Sequence, residues 1–225
     1  MAGRVGFRIH GDWARPDRAL LEQFGDASSA QVGDAMQRFG TMDIGIRPVW
    51  PCPRVIGSAI TVWARSADNL MLHKAVGMCR PGDVLVVNTQ GNLLNSGFGE
   101  LVAGAAVRLG LAAAIVDGVV RDVEALQAMG MATYARGLSP GGCDKDGPGE
   151  IGGVIACGGV AVRPGDVVIA DADGVTVVPL ADAPEVAELA LAGVGRERKR
   201  IEEIAAGIMM RPEIDETLRR NGVLD

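Results

Sequence analysis

Aromatic residues are scarce. Four Phe, three Trp and one Tyr make up 4% of 225 residues, so valine, alanine, leucine and isoleucine must fill the interior. Histidine is scarcer: only His10 and His73 are present, and Cys52, Cys79, Cys143 and Cys157 form no CxxC pair. That combination argues against a zinc site, and dispersed cysteines read as reduced thiols of a cytoplasmic protein. The opening MAGRVGFRIHGDW lacks the apolar core of a signal peptide. No run approaches the ~20 apolar residues of a membrane span, so no membrane contact is expected. A basic excess is absent too: the formal net charge of −6 disfavours a nucleic-acid binder. It does not exclude an anionic substrate, because local arginine and metal can supply positive charge.

What is abundant is glycine, at 32 residues, within a composition 48% hydrophobic and 22% charged. Many short elements joined by tight turns would use so much glycine, and the length suits one domain with a substantial core. The first 27 residues read as an arm, with Phe7, Ile9 and Trp13 able to pack, and a helix from Pro16 to Phe24. Ser28 or Ser29 caps a second helix with Ala30, Val32, Ala35, Met36 and Phe39 inward, ended by Gly40. Val55 to Ala64 reads as a strand, 69–79 as a helix and Val84 to Val87 as a buried strand. Asn69 and His73 share one helix face; either they face a substrate, or Asn69 starts the helix and His73 is an ordinary polar residue. The Gly/Pro-rich segment 137–153 is a lid or a plain surface loop. Four short Val-rich strands follow between 154 and 178, with a hairpin turn at Asp171 to Gly174. RPGD occurs at 80–83 and again at 163–166, each time before a Val-rich strand, an echo that repeats a turn. Ala181 to Arg220 is helical, with Pro212 starting a last helix. Strands alternating with helices, then strands in series, predict a layered α/β core with a mixed sheet and flanking helices.

The stretch from Asn95 to Leu126 carries the chemistry. Asn95 or Ser96 is placed to cap a helix in which Leu101, Val102, Ala105 and Leu109 recur at helical spacing, and Gly110 ends it. Ala112 to Val116 reads as a buried strand, Asp117-Gly118 as a turn, and Arg121-Asp122 as the start of the next helix. A glycine-flanked helix start leaves amides free for an anion. Arginine forks a carboxylate, and an aspartate beside it can hold a hard divalent cation. Together these suit a small 2-oxo acid. The alternative is a surface ion pair in which Asp122 merely caps a helix.

Glu100, twenty intervening residues, then Arg121-Asp122 resembles the acidic-x20-Arg-Asp signature of the 4-hydroxy-4-methyl-2-oxoglutarate / 4-carboxy-4-hydroxy-2-oxoadipate aldolases of the RraA-like superfamily. PGDVLVVN at 81–88, GE at 99–100, DGVVRD at 117–122 and RPGDVVIADADGVTVVP at 163–179 are similar to the wider superfamily pattern. The likeness spans roughly 28–195, leaving 196–225 as a helical extension, expected between subunits. It implies a swivelling β/β/α type of fold, a homotrimer or homohexamer, and a pyruvate aldolase dependent on Mg2+ or Mn2+ with oxaloacetate decarboxylase side activity. By the same likeness Asp122 would hold the metal, largely through water. Arg121 would bridge substrate oxygens, and Glu100 would position water or shuttle protons. Gly99 and the amides of Leu101 and Val102 would receive the pyruvate carboxylate.

The aldolases bring a glutamate from a neighbour's C-terminal helix to the metal; Arg200 stands at that position here, with Glu197, Glu202 or Glu203 as substitutes. No lysine lies in the central stretch, which argues against a Schiff-base aldolase there; Lys74 and Lys145 lie elsewhere. The rival is an RraA-like protein that binds and inhibits RNase E without catalysis. A methyltransferase is unsupported, since no glycine-rich strand–turn–helix motif with a ribose-binding acid is found.

Overall fold

Valine-rich runs bounded by glycine turns become strands, and the segments between them become short helices. The computed structural model describes residues 3–225. In chain order the elements are β1 (Phe7–Ile9), α1 (Arg18–Glu22), α2 (Ser29–Ala35), β2 (Arg47–Pro48), β3 (Val55–Ala64), α3 (Leu70–Val76), β4 (Asp83–Asn92) and α4 (Glu100–Arg108). They continue as β5 (Ala113–Val120), α5 (Val123–Ala128), β6 (Ala132–Leu138), β7 (Gly149–Ile151), β8 (Ile155–Cys157), β9 (Val160–Val162), β10 (Val167–Ala170), β11 (Val175–Val178), α6 (Ala183–Ala205) and α7 (Pro212–Arg220).

Four parallel strands, β3-β4-β5-β6, form the centre of a nine-stranded mixed sheet. Crossovers through α3, α4 and α5 connect them. Alternation along each strand sends Ile60, Val62, Leu85, Val87, Ala114 and Val116 into a core shared with these helices. It sends Ala59, Val84, Val86, Ala113 and Ile115 into a second core, which Ile155, Val162, Val168 and Val175 from the later strands help to fill. A third core joins Phe24 and Val32 to Val167, Ile169 and the α6 residues Val186 and Ala190. Both faces of the sheet are therefore covered, as its unbroken apolar strands require.

The two RPGD segments make the same turn. Asp83 accepts the Arg80 amide (2.9 Å) and Asp166 accepts the Arg163 amide (2.7 Å). The strands that follow, β4 and β10, flank β3 on either side: Ser58 faces Asp83 in one pairing and Val167 in the other. The 171–174 segment is the β10–β11 hairpin turn, with Asp171 tied to Ser29 of α2. Ser28 caps α2 in a full capping box with Gln31.

Phe7, Ile9 and Trp13 pack on the core as the sequence allows, and β1 adds a parallel strand beside β7. Several other expectations are corrected. Helix α2 ends at Ala35 with Met36 as its C-cap, because Gln37 and Arg38 adopt left-handed φ of 56° and 69°, and Phe39 is left 75% exposed. Asp117-Gly118 is no turn; β5 runs through it to Val120. Asn95 and Ser96 do not cap α4, whose N-cap is Gly99. Its buried residues are Val102, Ala103 and Ala106, while Leu101 and Leu109 point out. The helical tail breaks between α6 and α7, where Arg200 reaches Glu203 (3.0 Å) and the Met209 carbonyl (2.7 Å). No helix of the described residues is long and apolar enough to cross a membrane.

Candidate functional site

At its carboxyl end β5 runs beside the segment that leads into α4. Phe98 and Val120 form a bridge, and the Arg121 amide donates to the Phe98 carbonyl at 3.1 Å. This contact sets the start of α4 against the start of α5. Asp122 occupies the N-cap of α5 with a left-handed φ of 58° and makes no side-chain bond to its own helix. Its Oδ2 instead accepts the Glu100 amide at 3.0 Å, the first N–H of α4. Arg121 Nε lies 3.4 Å from the same oxygen. The expected group of Glu100, Arg121 and Asp122 is thus brought together at one helix start, on an open face: the Arg121 and Asp122 side chains are 42% and 37% exposed.

Glycine is required at two points of this junction. A Cβ on Gly99 would stand 2.6 Å from Asp122 Oδ2 and 2.9 Å from Arg121 Cγ. One on Gly118 would stand 2.1 Å from Thr89 Oγ1, which donates to the Asp117 carbonyl at 2.8 Å. With Glu100 N–H capped by Asp122, the amides of Leu101 and Val102 are left without intrahelical acceptors at the positive end of the helix. The Leu101 side chain is 83% exposed and leaves that end open. Leucines 93, 94 and 138 are exposed along the same strand ends.

The 139–148 segment is pinned and is not a free lid. Buried Asp68 accepts the amides of Asp146 (2.9 Å) and Gly147 (2.8 Å), and also that of Leu70 (2.9 Å). Asn95 Nδ2 donates to the Gly142 carbonyl (2.8 Å), and a Cβ on Gly142 would stand 3.4 Å from Arg121 Nη1. Asn69 Nδ2 donates to the Gly97 carbonyl at 3.1 Å, while its buried Oδ1 has no partner among the described residues. His73 points outward; burial, then the positive charge of Lys145, lowers its pKa. The Cys143 thiol is raised by burial, then by Asp68 and Asp144, with Lys145 and Arg121 opposing. Cys143 and Lys145 follow Gly142 on this pinned segment, which borders Arg121, a juxtaposition that distance in sequence conceals.

A second charged cluster, invisible in the sequence, lies on the opposite face of the sheet. Asp117 accepts from Arg136 Nε and from the Gly158 amide (2.8 Å), and Arg136 also forks Asp43 at 3.1 and 3.2 Å. Hydrogen bonds that Arg136 donates to these two carboxylates push its pKa further up, and the Arg136 bond is the main cause holding Asp43 low. Its partners saturate this cluster, which latches the 43–46 and 157–158 turns onto β5 and β6.

Among the described residues no group of three or more His, Cys, Asp or Glu is placed to hold a metal ion. A cation at Asp122 would rest on one protein carboxylate with water completing the shell, the habit of magnesium. The donor set fits that mode: Oδ2 is engaged, whereas Oδ1 has no hydrogen bond among the described residues and the side chain is solvent-accessible.

Comparison with known proteins agrees with this architecture. The model of the RraA-like family, described as Aldolase/RraA, matches residues 29–177. A protein of Halalkalibacterium halodurans provisionally named 4-hydroxy-4-methyl-2-oxoglutarate aldolase is 34% identical over 190 residues, 84% of this chain and 90% of that one. The crystal structure of Streptomyces coelicolor RraAS2, described as an unusual member of the RNase ES inhibitor RraA protein family, is 28% identical with a TM-score of 0.73, covering 89% of this chain and 100% of that one. An uncharacterised protein of Pseudomonas syringae pv. tomato shares the fold at a TM-score of 0.78 and 24% identity, over 87% of this chain and 96% of that one. With the family model spanning most of its length, the chain belongs to the RraA-like family.

Proposed function

We propose that this protein is a divalent-metal-dependent carbon–carbon lyase. It cleaves a 4-hydroxy-2-oxo di- or tricarboxylic acid to pyruvate and a second oxo acid, and it decarboxylates oxaloacetate as a side reaction. The observation that carries the reading is the meeting of Arg121 and Asp122 at the first turn of α4, with Asp122 Oδ2 3.0 Å from the Glu100 amide.

Cleavage breaks the C3–C4 bond. The C4 hydroxyl loses its proton as that carbon becomes a carbonyl, and the electron pair passes to the pyruvate enolate. The barrier is negative charge gathering on the former ketone oxygen. Bound at Asp122, Mg2+ or Mn2+ would supply Lewis acidity towards that oxygen. The Arg121 guanidinium stabilises the same charge and orients the keto acid. The Leu101 and Val102 amides receive the pyruvate carboxylate, and Gly99 leaves the room in which Asp122 and Arg121 stand beside it. Glu100, exposed in the first turn of α4, carries the hydroxyl proton through water. Lys145, on the segment that Asp68 pins through Asp146 and Gly147, would receive a distal carboxylate. Decarboxylation of oxaloacetate yields the same enolate.

In a homotrimer or homohexamer a neighbour's α6 would complete the site. Arg200 is tied into the α6–α7 turn, Glu197 accepts from Gln31 and Glu203 pairs with Arg200; of the three substitutes, Glu202 has no such bond among the described residues and would serve.

The second reading is a non-catalytic inhibitor of RNase E-type enzymes. Likeness to RraAS2 across the whole of that chain favours it, as do the exposed leucines 93, 94, 101 and 138, a surface suited to a protein partner. Purified protein assayed for pyruvate release from oxaloacetate separates the two. Turnover that needs Mg2+ or Mn2+ and stops with chelator is expected. Absence of turnover, or turnover indifferent to metal, contradicts the lyase.

A further inference from the structure

We infer that Asp122 serves two ends with one carboxylate. Oδ2 caps α4 from outside that helix, Oδ1 would be left to hold the cation, and cation binding is thereby coupled to the order of the α4 first turn. The cation half rests on the lyase reading; the cap half rests on geometry alone.

Helix α4 begins at Gly99, which has no side chain to satisfy its first amides. Asp122 supplies the missing acceptor from 22 residues away in sequence, at 3.0 Å from the Glu100 amide. Its left-handed φ of 58° goes with this role, since as the N-cap of α5 it leaves its own helix without a side-chain cap. The absent Cβ of Gly99 makes room for the carboxylate, and Arg121 Nε sits 3.4 Å from the capping oxygen. A cation drawn to Oδ1 fixes the carboxylate plane and with it the cap. Loss of the carboxylate releases the turn whose next two amides form the anion cradle.

The full-length protein, metal-free and Mn2+-loaded, is followed by amide hydrogen exchange at Glu100 and Ala103, by thermal melting and by Mn2+ titration. Without metal, Asp122→Ala is expected to melt about 2–4 °C lower and to exchange roughly fivefold faster at these two amides. Asp122→Asn, whose amide oxygen accepts the same bond, stays close to wild type in both. Each variant binds Mn2+ at least about tenfold more weakly, and Mn2+ slows exchange at Glu100 and Ala103 only in the wild type. Equal melting and exchange in all three proteins overturns the cap. Mn2+ binding that leaves wild-type exchange unchanged overturns the coupling while the lyase reading stands, and failure of the wild type to bind Mn2+ overturns both. The wild-type comparison with and without Mn2+ decides the coupling even if Asp122→Ala does not fold.

Discussion

Asp43, Asp117 and Arg136 show how much of this molecule is set by single side chains that meet only after folding. Asp117 follows an apolar run and precedes a glycine, so its local signal is that of a turn. In the structure it is a strand residue, held in place because Arg136 neutralises it and the Gly158 amide satisfies it. Gly118 is a glycine because Thr89 Oγ1 fills the space a Cβ would need, not because the chain reverses there. The network has a pH signature. The Arg136 hydrogen bond, aided by the Gly45 amide, holds the folded pKa of Asp43 below the ordinary aspartate range, against the opposing effect of burial. The stability this carboxylate contributes is therefore complete above its unfolded pKa of ~3.9 and is lost as pH falls through the lower folded value. Urea denaturation of wild type and Asp43→Asn should show the variant less stable at about pH 7, with the difference closing towards about pH 3. A difference independent of pH would mean that the ion pair contributes nothing.

At the scale of elements, local rules worked wherever local residues decide. The β3 strand spans Val55–Ala64 as its apolar run indicates, the two RPGD segments make one turn twice, and Ser28 caps α2. Replacing Ser28 by alanine removes one bond of the capping box and should cost about 1 kcal/mol, a fall in Tm of about 2–4 °C; an unchanged Tm would show that the rest of α2 holds without its cap. Local rules failed where a partner came from afar. Asn95 and Ser96 look like caps for α4, but the acceptor is Asp122, and Ser96 turns instead to the Phe98 carbonyl. The same distance effect hid Asp68, which pins the 139–148 segment. Arg121 and Asp122 were legible beside the α4 start because they follow the end of β5, whereas Glu100 was singled out by the family resemblance. The place of Lys145 was not legible, because it lies on a long irregular segment that Asp68 holds from afar.

For the whole molecule, the parallel strands direct their carboxyl ends to one edge, where open α/β sheets bind ligands, and Arg121-Asp122 stands at that edge. On the proposed function, a chain of net charge −6 would meet an acidic substrate with Arg121 and the positive end of α4. The leucines around this edge and the exposed Ile201, Ile204, Ile208 and Ile214 of the tail are two apolar surfaces of one chain, consistent with the proposed ring of subunits. The most direct measurement is pyruvate release from a panel of 4-hydroxy-2-oxo acids by wild type and Arg121→Ala, with Mg2+ present and folding checked. The account predicts metal-dependent pyruvate from at least one of these acids and a kcat/KM lower by roughly a hundredfold in the variant. No pyruvate from any of them, or a variant as fast as wild type, would contradict it.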